Sequence, residues 1–195
     1  MNSQLKGRFI FFVTNNVNKF NEARRVLAEY KMSVGMLRIK SLEIQSNSLK
    51  EIAKASVTDA FEKCKLPTIV EDAGLFVDGL NGFPGPYAAY VYKTIGNQGM
   101  LKLMENIESR KAKFESVVAC LSSEIKSPIC FNGIVAGEIA AEERRGSNKS
   151  GFGFDPIFKP HGKDKTYAEM NVEEKNQHSH RAKAFRKFAR WYKKL

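Results

Sequence analysis

The sequence has no apolar run that approaches the length of a transmembrane helix, which needs about 20 residues. Its first residues, Met1 to Arg8, lack the basic start and long apolar stretch of a signal peptide. It has only three cysteines, which are widely spaced in apolar surroundings, so we expect free thiols and neither a disulfide framework nor a zinc site. These absences favour a protein of the reducing cytoplasm.

Repeats, low-complexity tracts and Pro/Ser-rich linkers are also missing. The length suits one domain over residues 1–195, and a chain of this size can bury roughly 70% of its unfolded surface without a metal or disulfide. Neither the Gly-x-x-x-x-Gly-Lys phosphate loop nor the Gly-x-Gly-x-x-Gly dinucleotide fingerprint occurs. The spacing of the histidines does not indicate a metal site.

The formal net charge of +11 raises the possibility of a nucleic-acid partner. However, the stretch from Arg181 to Leu195 holds seven basic residues and no acidic one, so the charge is concentrated at one terminal helix. A solvated helix face explains such a run, and a footprint for polyanions is the alternative.

Apolar periodicity predicts helices and strands that alternate along most of the chain. The predicted strands and extended segments cover residues 8–13, 36–45, 68–71, 75–80, 114–122 and 129–139. The predicted helices cover residues 20–30, 49–64, 94–107 and a last one from the N-cap Asn171 to the C-terminus. The alternation indicates an α/β fold, and the two adjacent late strands indicate a mixed sheet.

A polar turn connects the first strand to the first helix, and it consists of Thr14, Asn15, Asn16, Val17, Asn18 and Lys19. The N-terminus of a helix presents free N–H groups and the positive end of the helix dipole, so it binds phosphate well. Lys19 adds a mobile positive charge. The turn is therefore a candidate phosphate site, and a simple Asn-capped turn is the alternative.

Two adjacent carboxylates, Glu71 and Asp72, follow the apolar residues of the third predicted strand. Open α/β sheets place their sites in loops after strand ends, and hard carboxylate oxygens suit Mg²⁺. One carboxylate can also take a proton from an attacking water. Glu43 is a further carboxylate that can join them. The alternatives are a solvated Glu-Asp turn and, for Glu43, an ordinary surface residue.

Glycines alternate with aromatic residues in the segment from Gly151 to Phe158. Phe152, Gly153 and Phe154 allow a flat ligand to approach closely and to stack on a ring. Asp155 offers an acceptor for the N–H groups of a base. The alternative, an aromatic strand in the core, explains Phe158 but not the glycines.

The start of the last helix carries Lys175, His180 and Arg181, which can bind phosphate or a keto oxygen. These three residues do not share one face of an ideal helix. They can converge only at a helix end or a bend.

These segments together resemble the inosine triphosphate pyrophosphatase family, the Ham1-type enzymes that hydrolyse non-standard purine nucleoside triphosphates. The shared strings occur in the family's order: Phe12-Val13-Thr14-x-Asn16-x-x-Lys19, Val70-Glu71-Asp72-x-Gly74-Leu75, Leu80-Asn81-Gly82-x-Pro84-Gly85, Gly151-Phe152-Gly153-Phe154-Asp155-Pro156-Ile157-Phe158, Thr166-Tyr167-Ala168-Glu169-Met170, Glu174-Lys175-Asn176 and Ser179-His180-Arg181.

The resemblance implies a two-lobed α/β fold around a long mixed sheet, an active-site cleft, Mg²⁺ dependence and a homodimer. It implies hydrolysis of ITP, dITP and XTP to the monophosphate and pyrophosphate. It assigns the turn at 14–19 to the triphosphate, Asp72 to metal and general base, and Glu43 to metal with Glu71 nearby. It assigns Phe152 to Asp155, with Lys175, His180 and Arg181, to the nucleotide, chiefly its base.

The sequence departs from the family at two places. Ala73 stands where members usually carry Ser or Thr, and Ser56 stands where many carry a lysine. The phosphate contacts of the chain are therefore expected to differ from those of its relatives.

Two other functions are compatible with parts of the sequence. A Maf-like nucleotide pyrophosphatase would share the chemistry but lacks the strings at 152–155 and 179–181. A nucleic-acid-binding module would use the basic terminal helix and would not need Asp72.

Overall fold

A computed structural model describes residues 8–147 and 151–195. The seven strands are β1 (Arg8–Val13), β2 (Met32–Leu37), β3 (Thr68–Val77), β4 (Pro84–Gly85), β5 (Lys111–Leu121), β6 (Ile129–Ile139) and β7 (Phe158–Pro160). The six α-helices are α1 (Val17–Ala28), α2 (Leu49–Cys64), α3 (Ala88–Thr94), α4 (Gly96–Leu103), α5 (Val172–His178) and α6 (His180–Tyr192). No helix in these two ranges is both long and apolar enough to cross a membrane.

All seven strands form one open sheet, in the order β2-β1-β3-β5-β6-β7, with β4 paired to β3. β1 lies parallel to β2 and β3, whereas β3, β5, β6 and β7 pair antiparallel with one another. Helices cover the sheet, and its buried side chains form three apolar clusters. The prediction of a mixed α/β fold is confirmed.

The prediction for the third strand was wrong in one respect. The sequence indicated two short strands, at 68–71 and 75–80, separated by a turn that carried the carboxylates. The structure has one continuous strand, β3, hydrogen-bonded to β5 along its whole length. Gly74 allows β4 to approach β3 closely, because a Cβ there would lie 2.6 Å from the carbonyl oxygen of Gly85 in β4.

Three other boundaries differ from expectation. The strand predicted at 36–45 is β2, which begins at Met32 and ends at Leu37. The helix predicted at 94–107 corresponds to α4, which is shorter, and it is preceded by α3, which the sequence did not indicate; the two helices are separated near Gly96, where φ is +62°. The last helix is also two, because Ser179 is extended between α5 and α6.

Candidate active site

The candidate site lies where β1 ends and β3 continues. β1 pairs with β3 only through Phe11 and Phe12, so the polar turn after Val13 lies beside the middle of β3. Glu71 and Asp72 occupy this part of β3. The carboxylates thus lie beside the carboxyl end of β1, where the general rule for open sheets places sites, although they are within β3 and not in a loop.

A cleft of about 1550 Å³ opens at this point. Its walls come from the turn after β1, the segment between β2 and α2, α2, β3 and α3. The predicted site residues that line it are Thr14, Asn15, Asn16, Val17, Lys19, Glu43, Glu71 and Asp72. The other predicted site residues are not among its lining residues: Asn18, Ala73, Phe152, Gly153, Phe154, Asp155, Lys175, His180 and Arg181.

Asp72 and Glu71 point in opposite directions because successive side chains of a strand alternate between the faces of the sheet. Asp72 is half-buried and faces the cleft. Burial raises the pKa of Asp72 to about 6, and the charges of Glu71 and Glu43 act in the same direction, while Lys19 opposes them. A carboxylate with such a pKa in a cleft is a candidate general base.

Glu71 is buried and surrounded by donors. Its Oε1 accepts from Ser116 Oγ at 2.6 Å and from Arg181 Nε at 3.1 Å, and its Oε2 lies 2.9 Å from Lys19 Nζ. Burial opposes ionisation, but Arg181 and Lys19 hold the pKa of Glu71 at about 2. Glu71 is therefore ionised and binds two cations, Lys19 in the cleft and Arg181 behind it.

A second cluster of charges lies behind Glu71 and connects α1 with the last two helices. Lys175 Nζ lies 2.8 Å from Glu22 Oε1 and 2.6 Å from Asp155 Oδ2. Arg181 Nη1 lies 2.6 Å from Glu22 Oε2. Burial opposes the charge of Glu22, but Lys175 and Arg181 hold its pKa below the usual value. Since Arg181 also binds Glu71, one network joins the cleft to the predicted base site.

The extended Ser179 is the bend that brings Lys175, His180 and Arg181 together, as the sequence required. Its side chain caps α6 by accepting from the N–H of Ala182, so the two helices meet at an angle that one continuous helix could not produce. Lys175 and Arg181 lie over the ring of Phe152, 4.7 and 5.3 Å from its centroid.

Two residues of the Gly-Phe-Gly-Phe-Asp segment, Phe154 and Asp155, make their contacts within the protein. Phe154 is buried and packs edge-on against Tyr92, so it belongs to the core. The side chain of Asp155 accepts from the N–H of Phe152 at 2.8 Å and from Lys175. Burial raises the pKa of Asp155, against the effect of Lys175. One of its oxygens is thus already engaged within the protein.

His180 stacks on Phe114, with ring centroids 4.5 Å apart and an interplanar angle of 9°. Burial, with the nearby charge of Arg181, lowers its pKa well below the ordinary value, so the imidazole is neutral. Within the described residues its buried Nδ1 has no hydrogen-bond partner. It is therefore a buried polar atom that the described residues leave unsatisfied.

The turn after β1 forms an Asn-capped start of α1. The Asn16 side chain caps α1 by accepting from the N–H groups of Asn18 and Lys19 at 3.0 and 3.1 Å. The N–H of Asn16 itself donates to Thr14 Oγ1. The Asn-cap interpretation is confirmed, and the group most available to phosphate is the Lys19 ammonium.

Several residues of the site had no signal in the sequence. Glu22 is one residue of an amphipathic helix, and its partners lie 153 and 159 positions away. Ser116 is a strand residue opposite Ala73. Lys40 and Lys93 line the cleft, and no ion pair to either occurs within the described residues. Only the three-dimensional fold brings these side chains to the site.

A comparison with known proteins identifies the family of this chain. The sequence model of the Ham1 family matches residues 10–191. The chain belongs to the Ham1 family. Within it, the dITP/XTP pyrophosphatase of Methanopyrus kandleri is 50% identical over 94% of this chain and 96% of its own length. The dITP/XTP pyrophosphatase of Thermococcus kodakarensis is 47% identical over 93% and 96%.

Solved structures of Ham1 proteins share the fold. The Staphylococcus aureus Ham1 protein has a TM-score of 0.80 and 28% identity, and the match covers 96% of this chain and 99% of that one. A Ham1 protein from Coxiella burnetii has a TM-score of 0.82 and 26% identity, with 96% and 100% covered.

The departures from the Ham1 pattern have structural counterparts. The hydroxyl of Ser56 lines the cleft and donates to the carbonyl oxygen of Leu42 at 2.7 Å, so it fixes the cleft wall. Ala73 pairs in β3 with Ser116 of β5, whose hydroxyl binds Glu71.

Proposed function

We propose that this protein hydrolyses non-standard purine nucleoside triphosphates, namely dITP, XTP and ITP, to the monophosphate and pyrophosphate. The observation that supports this most is Asp72, a carboxylate with a raised pKa that faces the cleft shared by Glu43 and the turn at Lys19. Members of the same family that are about half identical are named dITP/XTP pyrophosphatases.

The residues of the cleft fit a hard divalent cation. Glu43 and Asp72 both line it, and they are close enough for the charge of Glu43 to raise the pKa of Asp72. Carboxylate pairs of this kind suit Mg²⁺, which keeps several waters. Glu71 is less suited to this role because its oxygens are engaged by Lys19, Arg181 and Ser116. When bound, Mg²⁺ would offset the negative charge of the triphosphate.

In this mechanism Asp72 orients a water and takes its proton for in-line attack on the α-phosphorus. Lys19, which Glu71 holds at the cleft, binds the leaving pyrophosphate. The Asn-capped start of α1 adds the positive end of a helix dipole at the same place. The chain's contribution to the reaction is therefore mainly positioning and electrostatics.

The charged cluster behind Glu71, which contains Lys175 and Arg181, determines which purine base is accepted. Hypoxanthine and xanthine carry an acceptor oxygen at the purine 6-position, whereas adenine carries an amino donor. Lys175 and Arg181 are permanent donors held by buried carboxylates, so an amino group opposite them would leave donors unpaired. Such a mismatch can reject an analogue by factors on the order of 10⁴.

The remaining features of the proposal follow from family membership. We propose that residues 1–195 form one catalytic domain, that the enzyme works as a homodimer and that it acts in the cytoplasm. The enzyme would remove non-standard triphosphates from the nucleotide pool.

The site of attack can be tested with labelled water. Hydrolysis in H₂¹⁸O should place the label in the nucleoside monophosphate and leave the pyrophosphate unlabelled, because the water attacks the α-phosphorus. Mass spectrometry of the two products measures this. Label in inorganic phosphate, with a nucleoside diphosphate as the other product, would contradict the proposed reaction.

Lys19→Ala tests the phosphate turn. We expect KM for dITP and the Kd of inorganic pyrophosphate to rise about tenfold, because a charged contact to phosphate is lost.

Since Lys19 also lowers the pKa of Asp72, carbon NMR of the metal-free variant should find Asp72 titrating above its wild-type value of about 6. Lys102→Ala, on the exposed face of α4, is the control. An unchanged KM and pyrophosphate affinity would rule out the contact.

A further inference from the structure

A row of basic side chains on α6 lies outside the cleft, beside β6. This basic row consists of Lys183, Lys187 and Arg190, which follow one another at helical spacing on one face. At a rise of about 1.5 Å per residue the row is about 10 Å long. It borders a groove of about 320 Å³ between α6 and β6, whose other lining residues are Asn132, Gly133, Ile134 and Arg186.

The charges of the basic row are not neutralised within the described residues. Lys183 Nζ donates to the carbonyl oxygen of Ile134 at 3.0 Å, and Lys187 Nζ lies 3.3 Å from Asn132 Oδ1, so both contacts are to neutral groups. Arg186 differs, because Glu29 binds its guanidinium through two hydrogen bonds. The groove therefore keeps a concentrated positive charge that faces solvent.

The contacts of Lys183 distinguish between two kinds of occupant. β7 covers β6 only at Gly137–Ile139, so the outer edge of β6 near Ile134 is unpaired within the described residues. A peptide strand added there would need the carbonyl oxygen of Ile134, which Lys183 already occupies. Phosphate groups need only the cations. The groove therefore suits a chain of phosphates better than an extended acidic peptide.

We propose that the basic row and its groove bind the phosphodiester backbone of nucleic acid without reading its sequence. Contacts to phosphates give affinity and position but carry no base information. At about three contacts, the logarithm of affinity should fall with the logarithm of salt concentration with a slope of about −2 to −3. The row shares no residue with the cleft lining, so this binding is independent of pyrophosphatase activity.

Fluorescence anisotropy with labelled single-stranded and duplex 20-mers of DNA tests this proposal. We expect micromolar binding at low salt and a loss of about 30-fold between 50 and 200 mM salt. Lys187→Glu combined with Arg190→Glu should weaken binding at least tenfold and flatten the salt slope. Lys102→Glu combined with Lys111→Glu changes net charge equally on exposed residues elsewhere and should leave binding nearly unchanged. Pyrophosphatase activity should be the same in both variants.

Three outcomes would overturn the proposal. Equal loss of DNA binding in the two double variants would show that binding depends on net charge alone and not on the basic row. Equal or tighter binding of polyglutamate, lost in the same variant, would assign the row to an acidic polypeptide. Absence of binding at low salt would leave the row as a solvated helix face.

Discussion

Asp72→Asn is expected to lower kcat for dITP by about 10³-fold, because the amide cannot accept a proton from water. The side chain faces the cleft and its pKa of about 6 keeps it ionised at neutral pH. Loss of the carboxylate also removes one of the two groups proposed to hold Mg²⁺, the other being Glu43. Steady-state assays of pyrophosphate release measure the effect.

Nucleotide affinity separates this role from a structural one. A non-hydrolysable dITP analogue should bind the variant within a few-fold of wild type, because Lys19 and the cluster around Arg181 are untouched. Asp78→Asn, an exposed aspartate just after β3, is the matched control and should retain full activity. Near-normal turnover of the Asp72 variant would show that Asp72 is not the general base.

Glu22→Ala should destabilise the protein by about 3–5 kcal/mol, since removal of one partner leaves buried cations uncompensated. Glu22 is 5% exposed and binds both Lys175 and Arg181, which are each 3% exposed. Its loss leaves Lys175 with Asp155 alone and Arg181 with Glu71 alone. Denaturant unfolding measures the free-energy difference.

Glu29→Ala is the control for Glu22. Glu29 follows α1 and pairs with Arg186, but this pair is exposed, so its removal should cost no more than about 1 kcal/mol. Glu22→Ala should also raise KM for dITP, because the base-binding cations lose their anchor. Equal destabilisation by the two variants would contradict the assignment of Glu22 as the centre of the network.

Local patterns were enough to predict the elements that position the site. The strand at Arg8–Val13, the helix at Leu49–Cys64 and the capping box at Asn171 are as the sequence indicated, because each depends on neighbouring residues. The convergence of Lys175 with Arg181 at a bend was also foreseen, because helical geometry allowed no other solution.

The orientation of the carboxylates could not be predicted in this way. Glu-Asp-Ala-Gly resembles a turn, but pairing with β5 extends the strand through it, and the pleat then directs Glu71 and Asp72 to opposite faces. The role of Glu22 depends on contacts with the other end of the chain. Such long-range pairing leaves no mark in local periodicity.

The cleft is proposed to hydrolyse non-standard purine triphosphates selectively. Release of pyrophosphate from dITP, ITP, XTP, GTP and ATP, each with and without Mg²⁺, tests it most directly. We expect that kcat/KM for dITP, ITP and XTP exceeds that for ATP by orders of magnitude, and that activity requires the metal. Comparable hydrolysis of ATP and dITP, or a preference for pyrimidine triphosphates in the same assay, would contradict it.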